Sequence, residues 1–264
     1  MSAEDDLLRE ILAHPAADEP RKKYGELLEQ RGDPRGEFIR IQYRFFLAWL
    51  AKDFYDLPNV WELSAREETL LKQHGAEWSR DVRPLVEDVV FERGFVDCVT
   101  ISAGDFLERA EALYAVAPVI QLYIRQIDSY AERLFSSPHM GRIQALALGG
   151  AGMTDSDMKA LAASPHLRQL RWLDLTANNI TEVGMEALFA SPNIPNLLYL
   201  KANSNDCNDR EDISDTPMMT DGGIIYEWGG SKLGFDLEKK YGEKAWLHYR
   251  TRDERYRFPG MSAV

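Results

Sequence analysis

The groups able to do chemistry in this chain are few, and their spacing narrows what they do. The five histidines are His14, His74, His139, His166 and His248. None stands in a His-Glu-x-x-His pair on one helix face or beside cysteines at zinc-ligand spacing. His139 and His166 each follow Ser-Pro, 27 residues apart, which reads as a repeated loop motif in contact with water. Asp206, Asp209, Glu211, Asp212, Asp215 and Asp221 crowd one segment against the single Arg210. Counted from Asp206, a calcium loop needs glycine at the sixth position and glutamate at the last; the chain has Glu211 and Pro217 there. The segment therefore reads as a solvated insertion. Gly222-Gly223 and Gly229-Gly230 lack a Walker or dinucleotide pattern and read as turns. No catalytic residue, metal or cofactor is nominated, and the chain is read as not an enzyme.

Composition bounds the partner. With 264 residues, 45% of them hydrophobic, the chain can fill a sizeable core. A formal net charge of -12 works against a sequence-independent grip on nucleic acid, which needs Lys and Arg to neutralise phosphates; a basic or neutral protein fits better. The only cysteines, Cys98 and Cys207, lie far apart, against a disulfide framework and in favour of a reducing compartment. The start Met1-Ser2-Ala3-Glu4-Asp5-Asp6 lacks the basic and apolar parts of a secretory signal, and no uncharged apolar run reaches the roughly 18 residues of a membrane span. The expectation is a soluble cytoplasmic protein without a membrane partner; its oligomeric state stays open.

Self-similarity is the strongest signal. At an offset of 27 residues Leu146 and Leu148 recur as Leu173 and Leu175, then as Leu200 and Ala202. Met153-Thr154 recurs as Ile180-Thr181, Met158 as Met185, Leu161 as Leu188, and Ala163-Ser164-Pro165 as Ala190-Ser191-Pro192. Two shorter copies precede these, around Leu122 and Ile124 and around Val99 and Ile101, for about five strands. Each unit starts with a period-two alternation, as in Leu170–Leu175, and continues with Met185, Leu188 and Phe189 on one helix side behind Thr181 as N-cap. The unit is strand, turn, helix.

This pattern resembles leucine-rich repeats of the ribonuclease-inhibitor type. The resemblance implies an α/β solenoid with a parallel sheet lining its concave face, and asparagines at positions 178 and 205 turned inward to satisfy backbone groups. The unit containing Ala151 departs from the pattern, and a looser turn is expected there. Upstream, residues 4–13, 19–31 and 35–52 read as three helices, the third with so many apolar residues that it is either buried between domains or a membrane or partner-docking helix. Ser64 with Glu67 suggests a capping box opening a fourth helix that ends near His74-Gly75. The stretches Pro20–Gln42, Arg66–Trp78 and Phe91–Val96 resemble the repeat-companion domain that precedes leucine-rich repeats in planctomycete and myxobacterial proteins. That family implies an architecture and carries no catalytic residue. The expected domains are a helical N-terminal cap over 1–85, the repeats over 86–205, and an acidic insertion with a mixed C-terminal cap over 206–264.

Alternation along the strands places Thr100 and Ser102, Gln121, Tyr123 and Arg125, Ala145, Ala147 and Gly149, Trp172, Asp174 and Thr176, and Tyr199, Lys201 and Asn203 on the inner surface. Trp172 and Tyr199 should stack in one column, and the small residues at 145, 147 and 149 should leave a depression beside them. Aromatic, arginine and polar groups on a rigid sheet are what interface anchors look like. The expected partner-binding residues are Tyr123, Arg125, Trp172, Asp174, Tyr199, Lys201 and Asn203, unless residues 224–264 cover them. That tail reads as strand, helix and strand with a basic end at Arg250, Arg252, Arg255 and Arg257. The expected function is non-catalytic binding of a protein or peptide, as an inhibitor or immunity-type protein for a basic partner; an adaptor presenting a peptide to a modifying enzyme is the alternative.

Overall fold

The computed structural model describes residues 2–51, 54–202, 205, 218–220, 223–225, 232–244 and 246. They fall into two compact units. One comprises the residues up to Thr100 together with Arg109–Gln121; the other comprises Ile101–Glu108 and the residues from Leu122 onward.

In the N-terminal unit α1 (Ala3–Ala13), α2 (Glu19–Gln30), α3 (Pro34–Ala51) and α4 (Val60–Trp78) precede β1 (Asp88–Glu92) and β2 (Phe95–Ile101). The first three helices lie where the sequence placed them. Ser2 opens α1 with a capping box to Asp5, and Gly32 with φ +73 sits in the turn after α2. Helix α3 buries Phe38, Ile39, Ile41 and Phe45 but leaves Leu47 and Leu50 exposed. The fourth helix differs from expectation at both ends. It begins after Asn59, whose left-handed backbone sets the start, so Ser64 lies inside it. It also runs through Gly75 to Trp78, because Trp78 packs on Phe38 (ring centroids 4.9 Å apart) and stacks on His74. Side-chain burial there overrides glycine's tendency to stop a helix.

Strand β1 was not foreseen. It pairs antiparallel with β2, Glu92 opposite Phe95, so Arg93-Gly94 forms a two-residue hairpin turn. Both turn residues have positive φ, Arg93 at 50° and Gly94 at 86°, the conformation that matches strand twist in tight hairpins. A Cβ on Gly94 would fall 2.1 Å from Cγ1 of Ile39, so close packing on α3 requires glycine as well.

The second unit repeats strand and helix. Its elements are β3 (Gln121–Ile124), α6 (Ala131–Phe135), β4 (Ala145–Ala147), α7 (Asp155–Ala163), β5 (Trp172–Asp174), α8 (Glu182–Ala190) and β6 (Tyr199–Lys201), with α5 (Ala103–Val116) between β2 and β3. The six strands form one sheet in the order β1-β2-β3-β4-β5-β6. β4, β5 and β6 are parallel, with Leu146 paired to Leu173 and Leu173 to Leu200. The recurring leucines thus share one column. Leu146 and Leu173 have no exposed surface, and Leu200 is half-buried.

The two asparagines turn inward as expected. Asn178 Oδ1 accepts from the Met153 N–H (2.9 Å), and its Nδ2 donates to the carbonyls of Leu148 and Leu175 (both 2.8 Å). Asn205 repeats this one unit later, accepting from Ile180 N–H (3.3 Å) and donating to Leu175 and Ala202. The expected looseness at Ala151 is absent. The Ala151 carbonyl itself accepts from Ile127 N–H (3.2 Å), its N–H donates to Leu148 (3.1 Å), and Gly150 and Gly152 supply the positive φ angles. Backbone therefore replaces the missing amide.

The repeated Ser-Pro is a brace. Ser164 and Ser191 hydroxyls donate to the carbonyls of Phe135 and Ala162 in the preceding helices, while accepting from the N–H of His166 and Asn193. The predicted N-cap at Thr181 is present. Its own N–H and hydroxyl donate to Asp155, a second link between repeats. Beyond β6 lie a short hairpin, β7 (Met218–Thr220) with β8 (Gly223–Ile225), and α9 (Lys232–Tyr241). The Tyr241 hydroxyl donates to Glu186 of α8 (2.7 Å), and Trp246 meets Phe189 edge-on at 4.6 Å. The acidic insertion, apart from its hairpin residues, Tyr226–Trp228, Leu247–Tyr249 and the four terminal arginines lie outside the described residues, as does Cys207.

Candidate functional site

The sheet positions nominated from sequence come together on β3, β5 and β6. Parallel register sets Trp172 beside Tyr199 and Asp174 beside Lys201. The two aromatic rings stack with centroids 5.7 Å apart and planes 5° from parallel, an offset arrangement that adds to simple burial. Asp174 accepts from Thr176 N–H at 2.8 Å and lies 3.6 Å from Lys201 Nζ. Tyr123 is half-buried and Arg125 exposed on β3 and the turn that follows it. Asn203 lies outside the described residues.

Exposure corrects two expectations. Trp172 is only 8% exposed, so it is not the open anchor that alternation suggested. Ala145 and Ala147 are buried too, which removes the open depression at these positions and leaves Gly149 half-buried beside Asp174. What stays accessible is Tyr199, held flat on Trp172, with Lys201 and the half-buried Asp174 on the same two strands; Tyr123 and Arg125 lie on and just after β3, beyond β4. Aromatic surface fixed by a buried partner loses little side-chain freedom when it is covered, the property that makes such groups effective anchors.

The strongest perturbed groups lie elsewhere, in the N-terminal unit. Arg21 and Asp97 are fully buried and joined by a 2.7 Å hydrogen bond; Arg93 reaches the other carboxylate oxygen at 2.8 Å and Asp18 at 2.9 Å. Arg21 also donates to the Pro15 carbonyl (2.7 Å). Beneath them Gln42 accepts from Gly94 N–H (2.7 Å) and donates to the Phe91 carbonyl and to Glu67. Burial raises the Glu67 carboxyl above its ordinary range, opposed by the hydrogen bond from Gln42. Glu92 is raised further, by burial and then by Asp97. All these contacts close the Arg93-Gly94 turn onto α2 and α3. The stretches Pro20–Gln42 and Phe91–Val96 are thus tied together by structural contacts.

No protein-family model, curated protein or solved structure matches the chain. Among the described residues no group of three or more His, Cys, Asp or Glu side chains is placed to hold a metal ion, and no helix is long and apolar enough to cross a membrane.

Proposed function

We propose that the chain is a non-catalytic protein-binding module: a leucine-rich-repeat solenoid of the ribonuclease-inhibitor type behind a repeat-companion unit, meeting its partner with the sheet face of β3 to β6. The 27-residue offset and the inward asparagines support the repeat class. The observation that carries the binding reading is the Trp172–Tyr199 stack. Trp172 is buried, and the tyrosine ring stacked on it stays half-exposed on a strand that also presents Lys201. Trp172 acts in this reading as the floor that fixes Tyr199. A cytoplasmic setting is part of the proposal. Cys98 supports it as a buried thiol, which burial pushes up to about 12 and so keeps protonated.

The test is affinity capture with the full chain as bait, in parallel with Tyr199→Ala/Lys201→Ala. A partner held by the parent chain and weakened by at least about 2 kcal/mol in the variant, the scale of an interface hot spot, supports the reading, provided that the melting temperature is unchanged. Equal retention by both would remove this face as the binding surface.

A further inference from the structure

Charge in the repeat unit is unevenly disposed along the strands. Where α7 begins, its two first-turn acids are already committed. Asp155 accepts from the Thr181 N–H and hydroxyl and from Gly184 N–H, and Asp157 closes a capping box with Thr154. Each meets the positive end of a helix. Where the strands begin, the balance reverses. Neither 133–154 nor 158–173 contains an Asp or Glu, yet these stretches supply His139, Arg142, His166, Arg168 and Arg171.

Arg168 and Arg171 stand out within this group. Both are exposed, and neither side chain has an ion pair, hydrogen bond or ring contact among the described residues. Their backbones are nevertheless fixed. The Arg171 N–H donates to the Gln144 carbonyl (2.8 Å), and its own carbonyl accepts from Leu198 and Tyr199 N–H at 2.8 and 3.0 Å. The Arg168 carbonyl accepts from Asn196 Nδ2 at 2.7 Å. One row across three neighbouring strands thus reads Gln144, Arg171, Leu198, with the Leu198 side chain exposed. Two uncommitted guanidinium groups on a rigid edge, next to an amide and an aliphatic side chain, suit carboxylates with an apolar neighbour.

We infer that this edge binds an acidic segment of a partner protein, with carboxylates paired to Arg168 and Arg171 and an apolar side chain against Leu198. The surface adjoins the Tyr199 face where the strands begin but contains none of the residues assigned to it. Overall charge points the other way, but fields are screened beyond about 8 Å at physiological ionic strength, so the local groups govern contact. The same overall charge of -12 favours a short acidic peptide over a nucleic acid, whose long phosphate track would have to cross acidic surface.

The test uses the full chain and a fluorescein-labelled eight-residue peptide of alternating glutamate and leucine, read by anisotropy at about 0.15 M salt. The expected result is saturable binding that is lost when glutamine replaces the glutamates and weakens at least about ten-fold in Arg168→Gln/Arg171→Gln. Arg168→Lys/Arg171→Lys, which keeps charge but loses the fork, should fall between the two. Should the neutral variant fail to fold, the glutamate-to-glutamine comparison on the parent chain decides. Absence of binding, equal affinity for both peptides, or an unweakened folded variant overturns the inference. Tighter binding of an oligothymidine of equal charge overturns it in favour of nucleic acid.

Discussion

Set beside each other, the N-terminal unit and the repeats satisfy buried backbone groups with different chemistry. Around the Arg93-Gly94 turn much of the work falls to ions, beside the neutral Gln42: Arg21, Arg93 and Asp97, drawn from positions up to 76 residues apart. In the repeats it falls mostly to neutral amides and hydroxyls, with Asp155 the charged exception, each reaching one unit back or forward along the chain. An ionic cluster without water is strong only while complete, since removing one partner strands the others without solvation. A neutral brace loses a few hydrogen bonds when deleted, and its neighbours keep theirs. The first arrangement fixes one particular packing of one particular turn; the second can be copied.

That contrast can be broken most directly at Asp97. Asp97→Ala leaves the buried Arg21 guanidinium without its carboxylate and Arg93 with Asp18 alone, and should cost about 3–5 kcal/mol in urea denaturation. A loss under about 1 kcal/mol would show that the cluster is not what holds the hairpin. Asn178→Ala should cost less, about 2 kcal/mol, because Met153 N–H and the Leu148 and Leu175 carbonyls lose one shared partner while core packing persists. Hydrogen exchange sharpens this one: protection should fall at Met153 and its surrounding turn and remain unchanged at Gly94. The smallest effect is expected from Glu67→Gln. Burial raises the folded-state pKa of Glu67, so the folded chain binds more protons than the unfolded chain just above the ordinary glutamate value, and stability declines as pH rises through the folded value. Glutamine removes that dependence. The variant should be the more stable one at neutral pH, with the difference vanishing as pH falls below the ordinary glutamate range; a variant less stable at every pH would assign Glu67 a net favourable role as a charged acceptor.

The repeats were legible because their signal is local and recurs. A leucine at a fixed offset needs no knowledge of distant partners, and the same holds for Asn178 and Asn205, whose targets lie in the adjoining turn. The strand β1 was not legible. Its residues Asp88–Glu92 carry too short an alternation, and the turn that pairs it is Arg-Gly, outside the Asn-Gly pattern that ordinarily announces a tight hairpin. What stabilises arginine in a left-handed conformation is Asp97 and Asp18, one of them 75 residues away. Burial of Trp172 escaped for a related reason: alternation gives the direction of a side chain and says nothing of what lies above it. The exposed edge at Arg168 and Arg171 did leave a trace in the sequence, two acid-free stretches in a strongly acidic chain. Only the structure separates those arginines from the carboxylates that α7 and α8 have already used.

The inward asparagines also impose an order in time. Asn178 completes the turn of the unit before its own, and the residue that it serves, Met153, precedes it by 25 positions; Asn205 does the same for Ile180. On a ribosome, each turn thus stays open to water until the following unit has been synthesised, and closure trails elongation by one period. The growing end of the sheet is always its least finished part.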